Sequence, residues 1–106
     1  MSDELETVLI GQCEDIDQDT VENFEHDDIN YAIYHLSSGF YATQGNCVCE
    51  EHTFLSESSI QGEELECSSC GRTFSIVSGD SISDPGSEPL KIYEISEIDG
   101  SLYLNL

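Results

Sequence analysis

Gly45-Asn46-Cys47-Val48-Cys49 and, after a span of 17 residues, Cys67-Ser68-Ser69-Cys70-Gly71 are the stretches that decide how this chain is read. Each holds a close pair of thiols beside a glycine. Two such pairs separated by a loop are what a tetrathiolate site requires, because each pair forms one turn-borne clamp and an intervening hairpin brings the clamps face to face. Buried thiols packed as small hydrophobes explain poorly why four of them fall in two glycine-marked turns. Spacing alone does not separate a zinc ion from an iron-sulfur cluster, since soft thiolates suit both. The fifth cysteine, Cys13, has no partner at ligand spacing and reads as a small buried residue.

Short β-prone runs surround the two boxes. Residues 31–36 and 40–43 flank Ser37-Ser38-Gly39, a hairpin signal that delivers the chain to Gly45. Between the boxes Gln61-Gly62-Glu63 marks a turn before residues 64–67, and residues 72–77 follow the second box before Ser78-Gly79-Asp80 turns the chain. Upstream, residues 7–10 form a β-branched run and residues 20–24 alternate like a half-buried strand, with the acidic stretch 14–19 as a solvated connection. Downstream, residues 90–95 and 101–106 flank Asp99-Gly100, and this second hairpin is expected to pair Ile92 and Tyr93 with Tyr103 and Leu102. No segment keeps a helical period. The pattern predicts an all-β sandwich or barrel, read as one domain over residues 1–106.

Composition narrows the function. Hydrophobic residues make up 38% of the 106 and aromatics 8%, with no Trp, so the core is thin and gains from a metal clamp. Twenty-three acidic residues against only Arg72 and Lys91 give a formal net charge of -21. Such a charge repels phosphate backbones and anionic headgroups, which excludes nucleic acid and membrane surfaces and favours a partner with a basic docking patch. The same acidity serves solubility, including in a saline cytosol. The first residues carry neither a basic nor an apolar leader, so a cytoplasmic protein is expected. Thiols stay reduced there, which turns five cysteines toward metal or redox chemistry rather than a disulfide framework. Scattered carboxylates and the absence of a nucleophile paired with a base give no sign of an enzyme.

Cys67-Ser-Ser-Cys70-Gly71-Arg-Thr-Phe74, followed by Ser78-Gly79-Asp80 and Ser87-Glu-Pro-Leu-Lys91-Ile-Tyr93, resembles the Rieske ferredoxins that serve bacterial aromatic-ring oxygenases. Gly39-Phe-Tyr-Ala42 and Thr7-Val-Leu-Ile10 are similar to that family's strands, so the resemblance covers nearly the whole chain. It implies a Rieske-like antiparallel β-sandwich with a small rubredoxin-like cluster-binding subdomain at about residues 45–78. It also implies a monomeric electron-transport protein that carries one electron on a [2Fe-2S] cluster from a ferredoxin reductase to a terminal oxygenase. The family's two boxes read C-x-H and C-x-x-H. Here Cys49 and Cys70 stand at both histidine positions. By this analogy Cys47 and Cys67 hold one iron, and Cys49 and Cys70 replace the imidazoles on the other.

Two added thiolate charges oppose addition of an electron, so the potential is expected near the all-cysteine value of about -400 mV rather than in the Rieske range. Without a ligating imidazole, it is also expected to lack an alkaline pH dependence. The 17-residue span exceeds the family's usual spacing of about 16. One inserted residue before Leu55 would let His52 compete with Cys49 as a ligand, the alternative being a surface histidine beside Glu50 and Glu51. Gly71 is expected to let backbone approach sulfur, Ser68 and Ser69 to donate hydrogen bonds to it, and Leu55 and Phe74 to shield it or simply fill the core. Pro85-Gly86 resembles the family's third cluster-facing loop or is an ordinary turn. Arg72 offsets cluster charge or sits at the surface, and His26 and His35 fall outside the boxes, His35 as a half-buried strand residue. The rival function is a structural zinc-binding interaction module on the same fold.

Overall fold

The computed structural model describes residues 7–47, 54–83 and 88–105. Strands and single-turn 3-10 segments follow in the order β1 (Thr7–Gln12), η1 (Cys13–Asp15), β2 (Thr20–His26), β3 (Ile29–Leu36), β4 (Gly39–Gln44), η2 (Leu55–Glu57), β5 (Ser59–Gln61), β6 (Glu64–Glu66), β7 (Thr73–Ser75), β8 (Ile92–Ile98) and β9 (Ser101–Asn105). The all-β expectation is met. No helix among the described residues is long and apolar enough to cross a membrane.

Strand β3 organises the rest. It is apolar at nearly every position, the pattern of a strand buried on both faces. Its odd-numbered Tyr31 and Ile33 enter one core with Ile16, Ala42, Leu102 and Leu104. Its even-numbered Ala32, Tyr34 and Leu36 enter another with Leu55, Leu65, Phe74, Ile76 and two cysteines, Cys47 and Cys67. The first core is enclosed by a curled antiparallel sheet in the order β1-β9-β8-β4-β3-β2. Where its edge strands β1 and β2 do not pair, a cleft of about 190 Å³ opens between residues 10–12 and 22–24. The second core is closed by a small sheet in the order β5-β6-β7, whose Leu65 pairs with Phe74.

The hairpins follow from their turns. Ser37-Ser38 joins β3 to β4, with Leu36 paired to Gly39, as expected. Asp27 and Asp28, at φ +53° and +65°, join β2 to β3; aspartate tolerates the left-handed region that a two-residue turn demands. Asp99 and Gly100, at φ +52° and +83°, join β8 to β9. The expected register of this last hairpin is corrected. A two-residue turn pairs Ile98 with Ser101, which places Tyr103 opposite Ser96 and Leu102 opposite Glu97. Ile92 and Tyr93 instead pair with Thr43 and Ala42 of β4, and so join the two halves of the large sheet. The acidic connection 14–19 is also not wholly solvated, because Ile16 is buried in the first core.

Two contacts fasten the small sheet's side of the molecule. The Tyr34 hydroxyl, 2.9 Å from Thr43 Oγ1, donates to it, because Thr43 itself donates to the Gln44 carbonyl at 2.8 Å. Gly79, at φ +81°, accepts the Leu90 N–H at 2.8 Å, and a Cβ built on it would collide with the Leu90 carbonyl oxygen.

Gly79→Ala therefore combines a strained left-handed residue with a backbone clash, and urea unfolding is expected to show a loss of about 2 kcal/mol or more. Burial raises the Tyr34 hydroxyl above its ordinary value of 10.0. Folding therefore holds that proton more tightly than the unfolded chain does, so stability is unaffected below pH 10 and falls as the pH rises beyond it. Tyr34→Phe is expected to remove this alkaline decline while costing about 1 kcal/mol at pH 7, from the lost hydrogen bond.

Candidate metal centre

The first cysteine box hangs from the end of β4. Gly45 donates its N–H to the Asn30 carbonyl at 2.9 Å and accepts that of Leu55 at 2.8 Å, while Asn46 bridges to Phe54. These bonds pin the chain on both sides of Cys47. Gln44 adds a clamp that reading the sequence missed. Its side-chain carbonyl accepts the Lys91 N–H at 2.8 Å, and its amide donates to the Asn46 carbonyl at 2.7 Å. The only signal was a polar residue ending a strand one step before Gly45.

The second box is a tight reversal between β6 and β7. Cys67 donates its N–H to the Arg72 carbonyl at 2.9 Å, and Gly71 donates to the Cys67 carbonyl at 3.0 Å. Gly71 is required here by its φ of +75°. Its Cβ direction is open among the described residues, so the turn's dihedral demand is by itself a reason for glycine here. A further tie holds the layers together: Ser38 donates to Glu63 Oε2 at 3.0 Å and accepts from the Tyr41 hydroxyl at 2.8 Å.

The two boxes converge. The Sγ atoms of Cys47, Cys67 and Cys70 all lie within 4.8 Å of one another, with Cys47 and Cys70 3.6 Å apart. Cys47 and Cys67 are 1% and 2% exposed at the floor, whereas Cys70 is exposed. Leu55 and Phe74, each 0% exposed, belong to the same core as the two buried cysteines. An open groove lined by Ser59, Glu66 and residues 67–71 runs past Cys70. Soft thiolates on loops held by backbone hydrogen bonds suit an iron-sulfur cluster or zinc, and give no hard oxygen cage for magnesium or calcium.

Other expectations separate cleanly. Cys49, His52 and Pro85-Gly86 lie outside the described residues. His35 stands away from the thiols, stacked on Phe40 at 4.1 Å, and its Nδ1 donates to the Ile16 carbonyl at 2.9 Å. It is the half-buried strand residue expected. His26 lies beside Asp27 at 3.4 Å. Ser68 and Ser69 are exposed, and Arg72 is half-buried with its carbonyl holding Cys67. Cys13 packs against the other core, beside the β8–β9 turn, and is half-exposed rather than buried as expected. Partial burial, with the nearby Glu97 carboxylate, raises its thiol above 9.0.

A family model of the Rieske [2Fe-2S] domain matches residues 6–94. The chain belongs to the Rieske [2Fe-2S] domain family. Among relatives in this family, ferredoxin CarAc of Metapseudomonas resinovorans is 32% identical over 73 residues, covering 69% of this chain and 67% of that protein. The biphenyl dioxygenase ferredoxin subunit of Pseudomonas sp. (strain KKS102) is 34% identical over 70 residues, 66% of this chain; the chain spans 64% of that relative's length. The Rieske fold itself is shared over more of the chain. A structure of the complex of reduced oxygenase and oxidised ferredoxin in carbazole 1,9a-dioxygenase contains a chain that matches with a TM-score of 0.86 at 25% identity, over 93% of this chain and 92% of that one. A ferredoxin from Sphingomonas yanoikuyae B1 matches with a TM-score of 0.84 at 19% identity, over 95% and 99%, and bears on the fold alone. The three thiols that the boxes bring together fit a [2Fe-2S] cluster by softness.

Gln44→Ala frees the first box from Lys91, and metal release to a chelator, followed by absorbance, is expected to quicken by about tenfold. Alkylation requires thiolate, so a raised Cys13 is expected to react more slowly than free cysteine at pH 8, its rate still climbing past pH 9. Cys13→Ser is expected to leave metal content unchanged.

Proposed function

We propose that this chain is a small electron carrier in which Cys47, Cys49, Cys67 and Cys70 hold a [2Fe-2S] cluster, within a single unit over residues 1–106 whose cluster-binding part spans about 45–78. The observation that carries this reading is the convergence of three thiols from the two boxes within 4.8 Å, in a chain that matches the Rieske [2Fe-2S] domain over residues 6–94. When bound, the cluster supplies one-electron exchange. The chain's own residues do the rest. Cys47 and Cys67 anchor the floor, Cys70 opens the site toward a partner, and Leu55 and Phe74 keep water from the inner side. The role is that of a carrier with no reaction of its own, in the cytoplasm.

The relative named as a biphenyl dioxygenase ferredoxin subunit, and the complex of oxygenase with ferredoxin, support a terminal oxygenase as electron acceptor; a ferredoxin reductase is the donor proposed with it. A net charge of -21 favours basic docking patches on both and a loose, charge-steered encounter. Four thiolates bring more negative charge to the cluster than a His2Cys2 set, which makes its reduced form the stronger donor.

One observation favours a second reading. Thiolates on a single tetrahedral zinc, with bonds of about 2.3 Å, lie roughly 3.8 Å apart, close to the separation of Cys47 and Cys70. Metal analysis decides between them. The purified protein is expected to be red-brown with two irons and two sulfides per chain, whereas a colourless protein with one zinc would defeat the carrier reading. The reduced protein is expected to give an EPR signal with the average g of all-thiolate ligation. Its potential is expected near about -400 mV, unchanged between pH 7 and 10, and a break on the alkaline side would show that an imidazole such as His52 is a ligand.

A further inference from the structure

Cys47 and Cys70 belong to different loops, 23 residues apart in sequence, and their sulfurs are 3.6 Å apart. That is about 1.6 Å more than a disulfide bond. The pair is also asymmetric. Cys70 stands exposed on the rim of an open groove, and Cys47 beside it is 1% exposed, within the core. An accessible thiol above a shielded one is the arrangement that thiol-disulfide exchange uses, the outer thiolate attacking the oxidant first and the inner one resolving the mixed disulfide. A histidine at position 70 would leave no such pair.

We propose that in the cluster-free chain Cys47 and Cys70 form a reversible disulfide that closes the site to cluster loading. This deepens the proposed function, because it rests on both sulfurs being ligands of the cluster. The oxidant is a small disulfide, R–S–S–R. Cys70 thiolate attacks one of its sulfurs, forming Cys70–S–S–R and releasing the first thiolate RS⁻. Cys47 thiolate then attacks Cys70 Sγ, which breaks the mixed disulfide, forms the Cys47–Cys70 bond and releases the second RS⁻. The two protein thiols lose two electrons and two protons, and R–S–S–R gains both as two RSH. The bond takes one ligand from each box, so neither clamp can grip until it is reduced. At a net charge of -21 a cationic disulfide approaches more readily than an anionic one.

The test uses the full chain, freed of metal under argon with a chelator and a reductant and then desalted. Cystamine is added, remaining thiols are alkylated, and peptides are mapped by mass spectrometry. The expected product carries a Cys47–Cys70 bond, with the linked peptides lighter by about 2 Da than their reduced sum and no cysteamine on either cysteine, and it forms faster with cystamine than with oxidised glutathione. Cys67→Ser is expected to form the same bond, and Cys47→Ser to trap cysteamine on Cys70. Iron and sulfide uptake is expected to fall by about tenfold in the crosslinked protein and to return after treatment with a dithiol. A Cys67–Cys70 or Cys47–Cys49 bond, a stable cysteamine adduct on Cys70 of the natural chain, or undiminished uptake would each overturn the switch. Because bond mapping needs no cluster, its outcome is independent of the iron content that tests the ligand set.

Discussion

Strand β3 is buried on both faces, and the rest of the molecule is arranged by that constraint. A strand whose alternate side chains both demand cover needs two layers, and here they differ in kind. The odd face receives a curled six-stranded sheet that closes its own core. The even face receives a small three-stranded sheet and the two buried cysteines, so the thiol floor is part of a hydrophobic core. Ligand position is thereby tied to packing: Cys47 and Cys67 move only if Leu55, Leu65 and Phe74 move with them. The cysteine boxes hang from this wall at one end, through Gly45 bonded to Asn30 of β3 and Gln44 bonded to Lys91 before β8.

That attachment explains how a thin core can carry a charged metal centre. Thiolates repel one another, and the surrounding chain is itself strongly acidic, so only a bound cation or cluster compensates a cluster of ionised sulfurs. Loops held by backbone hydrogen bonds keep the sulfurs close without spending side-chain charge on them. The same closeness is what lets two of them serve a second, covalent chemistry when the metal is gone.

Much of the scaffold was legible in short range. Ser37-Ser38 and Asp99-Gly100 marked hairpins because turn chemistry is local, and the cysteine spacings marked the boxes because each clamp is local. The errors came where a second strand decides the answer. The register of β8 was misread since Ile92 and Tyr93 look like partners for the nearby β9, yet a two-residue turn offsets them and β4 receives them instead. Acidic neighbours make Ile16 look solvated, yet the first core buries it. Gln44 gave no usable signal, because its value lies in two backbone groups that only the folded chain brings to it.

What the sequence by itself determined is the chemistry of the donors: two thiol pairs, on glycine-marked turns, in an acidic chain of short β-prone runs. Those are properties of residue identity and of near neighbours, and they hold wherever the chain is placed. Only the tertiary structure decided that Cys47, Cys67 and Cys70 share one site, that Cys70 alone of these three faces solvent, and that Cys13 belongs to the other core. Those outcomes depend on contacts between residues far apart in sequence, which local propensity cannot rank and which the two-sided burial of β3 enforces.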